Sequence, residues 1–484
     1  MHTTALPNDA RIAVIGGGPA GIATAKELAE RGFEVGVLEA SDDLGGQWHT
    51  GGAQSGIWPG MRANTSGALT RFSDRPTPAG WPVFPTAEQV RDELRDHAAR
   101  TGVAARTRFG ARVLSARQDG ARWSLDVEDV ATGRIDTLRV DGVVAASGRF
   151  TVPQIPADLG FGDGVEIIHS SAYRGPARFA GRRVLVVGNS ISGLEIASDL
   201  AHDPTITVVS SSRRPRWIVP KLTAGVPADH VGFTAFAALL GRTLPPEALA
   251  DALRAQLEAW AGDPAAVGGL TPAQDLLAAG LSQSQHYLPH VAEGRIDARP
   301  GIADVQGDVV RFTDGTETTV DAVVLATGFA SELPYLATQP EALDAMTFDA
   351  ARPGLALVGQ FVVHGPALPV LELQARLVAA VWSGERTTVG APRLPELPHY
   401  PHHMLAEAFA GAVGALPDED AFPALVEALR FGPMLGERYR LAEPGMAERF
   451  AEMTAGFRAP DEQVAAWGRL TAPEVVASVG GEPM

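Results

Sequence analysis

Residues 11–21 read RIAVIGGGPAG, a short β-branched run that ends in a glycine turn. The turn leads into the helix-forming IATAKELAERG, and FEVGVLEA then predicts a second strand with Glu39 at its end. Strand, glycine turn, helix and strand in so short a span fit one unit of a doubly wound parallel sheet. Gly16 permits the tight turn, Gly18 lets a backbone approach a pyrophosphate, and Gly21 lets helix and strand pack closely. Pro19 and Ala20 open the helix, whose N-terminus faces the phosphates. Glu39 stands eighteen residues after Gly21, where a carboxylate can accept hydrogen bonds from ribose hydroxyls.

The same pattern returns at 183–214. RRVLVVG predicts a strand, GNSISG a turn, LEIASDLAHD a helix and TITVVSSSRRP a second strand. Gly188, Asn189, Ser190, Ser192 and Gly193 form this turn, with Ser190 where a glycine is expected. Its side chain is small, and its hydroxyl can donate to a phosphate. Eighteen residues after Gly193 stands Ser211 rather than an acid, and Arg213 and Arg214 follow. An acid there favours a free 2′-hydroxyl, whereas Ser-Ser-Ser-Arg-Arg suits a 2′-phosphate. FAD is therefore expected on the first turn and NADPH on the second.

Two such units predict an α/β fold with two Rossmann-like dinucleotide-binding domains, the NADPH domain inserted in the FAD domain, with added helical segments. VVAASG (143–148) and VVLATG (323–328) read as paired closing strands, and PGLALVGQ (353–360) as the return to the first domain. The expected boundaries are 1–180 for the first part of the FAD domain and 181–330 for the NADPH domain. An Ala/Leu-rich helical insertion is expected at about 223–300. Residues 331–484 are expected to hold the return and a C-terminal helical extension. The net charge of −17 excludes the basic footprint of a nucleic-acid or anionic-membrane binder. No signal segment or membrane span is apparent, so the expected location is cytoplasmic. A homodimer is compatible with the sequence. The absence of cysteine excludes disulfides, thiolate metal sites and redox-active cysteine pairs.

Several stretches together resemble the class B flavoprotein monooxygenases, which comprise flavin-containing monooxygenases, N-hydroxylases and Baeyer–Villiger monooxygenases. They are GGGPAG with Glu39, DDLGGQW (42–48), RANTS (62–66) followed by FSDRPTP, VVAASGRFTVPQIP (143–156), HSSAY (169–173), GNSISG, LATGF (325–329) and ELQARLVAAVWSG (372–384). The likeness runs from about residue 10 to 385. One departure is the F-x-G half of the signature before the second unit: Phe161 and Gly164 lie eight and five residues before His169, out of step with it.

The resemblance implies an NADPH- and O2-dependent enzyme that inserts one oxygen atom into a small organic substrate through a C4a-(hydro)peroxyflavin. Nitrogen or sulfur oxygenation is expected. Baeyer–Villiger oxygenation of a ketone is the alternative, and an NAD(P)H oxidase or reductase without substrate oxygenation is a further one. The match places Gly46, Gln47 and Trp48 beside the flavin, with the indole shielding the ring or packing the core. It makes Asn64 and His169 the catalytic residues, with Asn64 at the reaction centre and His169 at the pivot between domains. Val113, Gly148, Thr327 and Gln374 are expected against the cofactors. His399, His402 and His403, spaced by prolines, read as an exposed loop, and no metal is expected.

Overall fold

The computed structural model describes residues 5–472 except 50–54, 158, 273–275, 277–279, 389–393 and 395–398. Two parallel sheets organise it. In the first, Arg11–Ile15 is central and pairs in parallel with Glu34–Leu38 on one side and Gly142–Ala145 on the other. Thr107–Arg108 extends one edge, and Leu355–Leu357 joins Gly142–Ala145 in parallel on the other. Antiparallel pairing of Phe348–Asp349 and Leu343–Asp344 finishes that edge. The central strands are buried on both faces, which is why they read as unbroken Val/Ile/Ala runs rather than alternations.

The second sheet has five parallel strands in the order Ile296–Arg299, Thr207–Ser211, Arg183–Val187, Ala322–Leu325, Glu166–His169. Its strands come from one continuous stretch, between Gly142–Ala145 and Leu355–Leu357 of the first sheet. Two expected limits shift. Glu166–His169 is an edge strand of the second sheet, so that unit begins before 181. Ile296–Arg299 closes the opposite edge, so the helical insertion ends before 300. The two connections between the sheets pair with each other, Val152–Pro153 antiparallel to Phe329–Ala330.

Helix Pro19–Glu30 packs against helix Leu368–Trp382 in the core beneath the first sheet, where nearly every side chain of the second helix is buried. Helix Ala87–Arg100 has Thr86 and Gln89 as a capping box and buries Val90, Leu94 and Ala98, a helical stripe. The 223–300 stretch contains helices Ala228–Val231, Ala235–Thr243, Pro246–Ala261 and Tyr287–Ala292. Helices His402–Val413, Val426–Phe431, Met446–Met453 and Asp461–Leu470 follow the return. No helix among the described residues is long and apolar enough to cross a membrane.

Candidate active site

The two glycine turns have nearly the same geometry. Gly16 has φ +108°, and a Cβ there would lie 2.6 Å from the Ala146 carbonyl oxygen. Gly188 has φ +114°, and its Cβ would lie 2.5 Å from the Ala326 carbonyl oxygen. At Gly21 and Gly193 a Cβ would come within 1.9 Å of the carbonyl oxygens of Gly16 and Gly188. Each helix thus starts against its strand at a distance only glycine allows.

At the first turn, Gly18 is the N-cap of Pro19–Glu30, with Pro19 and Ala20 in the first turn of the helix. A Cβ on Gly18 would meet only Gly46, at 3.5 Å, so the turn is open where a ligand backbone would approach. Gly45 N–H donates to the Gly17 carbonyl at 3.0 Å, joining the LGGQW turn to it. Glu39 accepts from Gly17 N–H at 2.6 Å through Oε2, and from Ser41 N–H and Oγ–H at 2.7 Å through Oε1. A carboxylate has about four acceptor positions, so capacity for ribose hydroxyls is left.

Gln47 is exposed, and Trp48 is buried in the first core with its Nε1–H unpartnered. Val113 lies in strand Ala111–Asp119 and packs with Ile15 and Leu38 on the face of the first sheet opposite its core helices. Gly148 has φ +83°, and a Cβ there would meet only Thr151 Cγ2, at 4.0 Å. Thr327 donates its hydroxyl to the Gln154 carbonyl.

Asn64 is half-buried, and its Oδ1 is enclosed without a partner. Its loop is anchored on both sides, Ala63 N–H to Pro85 O at 2.9 Å and Ser66 N–H to Asp229 Oδ2 at 2.6 Å. Ser66 Oγ also meets His230 Nε2 at 3.1 Å. Burial pushes the Asp229 carboxyl above its usual range, against the Ser66 amide and His230, and lowers His230. Beyond the loop, Glu372 accepts from Ser73 N–H at 3.0 Å and from Ser73 Oγ at 2.5 Å. Arg440 from the C-terminal region reaches the same pair. Apart from Pro85, these partners lie more than 150 residues from the loop they hold, so a single sequence does not record the pairings.

Three expectations need correction. Gln374 is fully buried, and its amide is spent on the protein: Oε1 accepts from Gly359 N–H at 2.9 Å, and Nε2 donates to Leu357 O at 3.0 Å and Thr347 Oγ1 at 3.1 Å. It ties the return strand to the core helix and is closed to a flavin edge. His169 has both ring nitrogens committed. Ser171 N–H donates to Nδ1 at 3.2 Å, which leaves the proton on Nε2 to donate to Gly328 O at 3.0 Å. Burial lowers its pKa, and its one ring proton is spent on Gly328 O, so it latches the end of strand Glu166–His169 to the second connection. The histidine group is not an exposed loop: His402 is buried at the start of His402–Val413 and bonds Pro366 O at 2.7 Å, while His399 stacks on His364.

At the second turn, Ser190 is the helix N-cap, and Ser192 is exposed in the first turn of Ile191–Ala201. Asn189, with its amide oriented to satisfy the network, donates to Arg214 O at 3.2 Å and Ser212 Oγ at 3.0 Å and accepts from Arg216 N–H at 3.0 Å. Ser211 is buried and donates its hydroxyl to Pro300 O at 2.6 Å, so it does not face a phosphate. Arg213 and Arg214 are exposed, and Arg213 lays its stem against Gly301. The sequence reading missed Arg216, which reaches Ser190 itself.

The model of the flavin-binding monooxygenase-like family matches residues 9–395. The chain is 26% identical over 495 residues to the N-oxide-forming dimethylaniline monooxygenase 2 of Pan troglodytes, covering 90% of each chain. Among solved structures, S-allyl-L-cysteine S-oxygenase from Allium sativum shares the fold, with a TM-score of 0.59, 20% identity and coverage of 96% of this chain and 98% of that one. Cyclohexanone monooxygenase bound to ε-caprolactone does so with a TM-score of 0.60, 20% identity and coverage of 93% and 100%.

Proposed function

The chain belongs to the flavin-binding monooxygenase-like family, and from that premise we propose that it transfers one oxygen atom to a nitrogen or sulfur of a small organic molecule. It is an FAD- and NADPH-dependent monooxygenase with an α/β fold of two dinucleotide-binding domains. The observation that carries the site assignment is the pair of matched glycine turns, of which only the second is followed by exposed arginines.

The residues present fit both cofactors. The opening at Gly18 admits a pyrophosphate, and Glu39 retains acceptor capacity for a ribose. Trp48 Nε1–H and Asn64 Oδ1 are buried polar atoms without protein partners, which a bound polar ring system would satisfy. Arg213 and Arg214 supply charge for a 2′-phosphate. When bound, the flavin takes hydride from NADPH and activates O2.

The protein's own part is to bind, orient and keep water out. Trp48, buried in the first core at the end of the LGGQW turn, would set apolar surface beside the bound ring. Asn64, on a loop fixed by the Pro85 and Asp229 anchors, would offer a neutral amide to the reacting oxygen. A neutral amide suits heteroatom oxygenation, in which the substrate lone pair is the nucleophile and no protein base is required. The N-oxide-forming name of the relative supports the same reading.

Product analysis tests it. The protein is supplied with NADPH, O2 and either a tertiary amine, a thioether or a cyclic ketone. N-oxide or sulfoxide matching NADPH use is expected. Lactone as the sole product would replace the reading with Baeyer–Villiger chemistry, and stoichiometric H2O2 with no product would replace it with an oxidase.

A further inference from the structure

Arg216 lies five residues beyond strand Thr207–Ser211, and its side chain returns to the glycine turn. Nη1 donates to Ser190 Oγ at 3.4 Å and Nη2 to His399 Nε2 at 3.5 Å, both long contacts. No carboxylate pairs with it among the described residues, and burial lowers its pKa. A partly buried guanidinium without a counter-ion is costly, in a chain with 57 acidic side chains to 40 basic ones. Most of its five N–H donors remain unspent. Helix Ile191–Ala201 begins at the same Ser190, with no acid in its first turn and no side chain capping its free N–H groups. The guanidinium and the positive end of the helix therefore meet at one point.

His399 supports the guanidinium from behind. Burial, with Arg216 adding to it, pulls its pKa down to about 4, so the ring is neutral. Because Nε2 accepts from Arg216, the proton sits on Nδ1, which is buried and unpartnered. The ring stacks on His364 at 5.2 Å with an interplanar angle of 18°, and His364 Nε2 accepts from Leu281 N–H at 3.1 Å. His399 lies outside the family-matched residues 9–395.

We propose that Arg216, braced by His399, grips the pyrophosphate of the nicotinamide dinucleotide at the second glycine turn, an assignment that rests on reading that turn as the NADPH site. Arg213 and Arg214, exposed at the strand end, serve the 2′-phosphate instead. The two tasks are separable because NADP+ and NAD+ share the pyrophosphate and differ only in the 2′-phosphate.

The experiment is a calorimetric titration of the purified flavoprotein with NADP+ and with NAD+, for the unaltered chain, Arg216→Ala, Arg216→Gln and His399→Phe. Both Arg216 variants are expected to weaken both ligands by the same factor, at least about tenfold. His399→Phe keeps the stack but removes the acceptor, and it should weaken both ligands by a smaller common factor. Arg216→Gln keeps a polar, if shorter, side chain should alanine unsettle the fold, and retained flavin absorbance reports an intact protein. A loss confined to NADP+ would move Arg216 to the 2′-phosphate, and unchanged affinities would remove it from the site; either result overturns the proposal. If the unaltered chain binds neither dinucleotide, the reading of the turn itself fails, and the proposal falls with it.

Discussion

Arg71 and Glu437 form an ion pair at 2.6 Å with side chains only 2% and 0% exposed. The pair joins the segment after the Asn64 loop to the C-terminal region. Removing one partner leaves an uncompensated buried charge, so Glu437→Ala should cost about 3–5 kcal/mol. Replacing both, as Arg71→Met with Glu437→Leu, should recover most of that. Urea denaturation of the two variants checks the difference, and equal losses would contradict it.

Asp74 gives the pH dependence its sign. Burial alone would raise its carboxyl, but His97, with Nδ1 at 3.4 Å, outweighs burial and holds it at about 2, against an ordinary value of 3.8. A depressed folded-state pKa contributes stability that is present above the unfolded value and lost as pH falls toward 2. The contribution is on the order of 2 kcal/mol. Asp74→Asn should flatten the fall in denaturation midpoint between pH 5 and pH 2.

Asn64→Ala should separate flavin reduction from oxygenation. With the amide gone, reduction by NADPH continues while product formation drops on the order of a hundredfold, the usual effect of losing one preorganised donor. The ratio of product to NADPH consumed reads the effect, with H2O2 making up the difference. Product and NADPH use falling together would assign Asn64 to the fold alone.

Arg213→Ala combined with Arg214→Ala should weaken NADPH by about tenfold or more, since charge-assisted contacts are worth roughly 1.5–3 kcal/mol each. NADH should be unaffected. Initial-rate kinetics with both dinucleotides measure the preference, and an unchanged ratio would leave the 2′-phosphate without its partners.

What could be read in the sequence was local. Gly16, Gly21, Gly188 and Gly193 declare their turns because the steric demand lies within a few residues of each glycine. Val90, Leu94 and Ala98 declare a buried stripe for the same reason. Gln374 misled because the family motif carries its residue type, while the bonds that occupy it come from Leu357, Gly359 and Thr347. The prolines around His399 and His402 suggested exposure, yet Pro401 serves as the N-cap of a helix whose buried face begins at His402. Arg216, Asp229 and Glu437 have roles set by partners from 26 to 366 residues away, and a single sequence does not record such pairings.

The second sheet closes with Ala322–Leu325, whereas the first waits for Leu355–Leu357 and for the core helix that ends at Trp382. During synthesis the order of completion is therefore the reverse of the order of appearance. The N-terminal strands emerge first, but Gly142–Ala145 waits for Leu355–Leu357 at its open edge, and the apolar floor is complete only after some 370 residues follow Arg11–Ile15. The later-starting unit is contiguous and can be finished before them. A chain released from the ribosome at residue 340 would thus hold every strand of the nicotinamide domain's sheet while the flavin domain still lacked its last strands and its core helix.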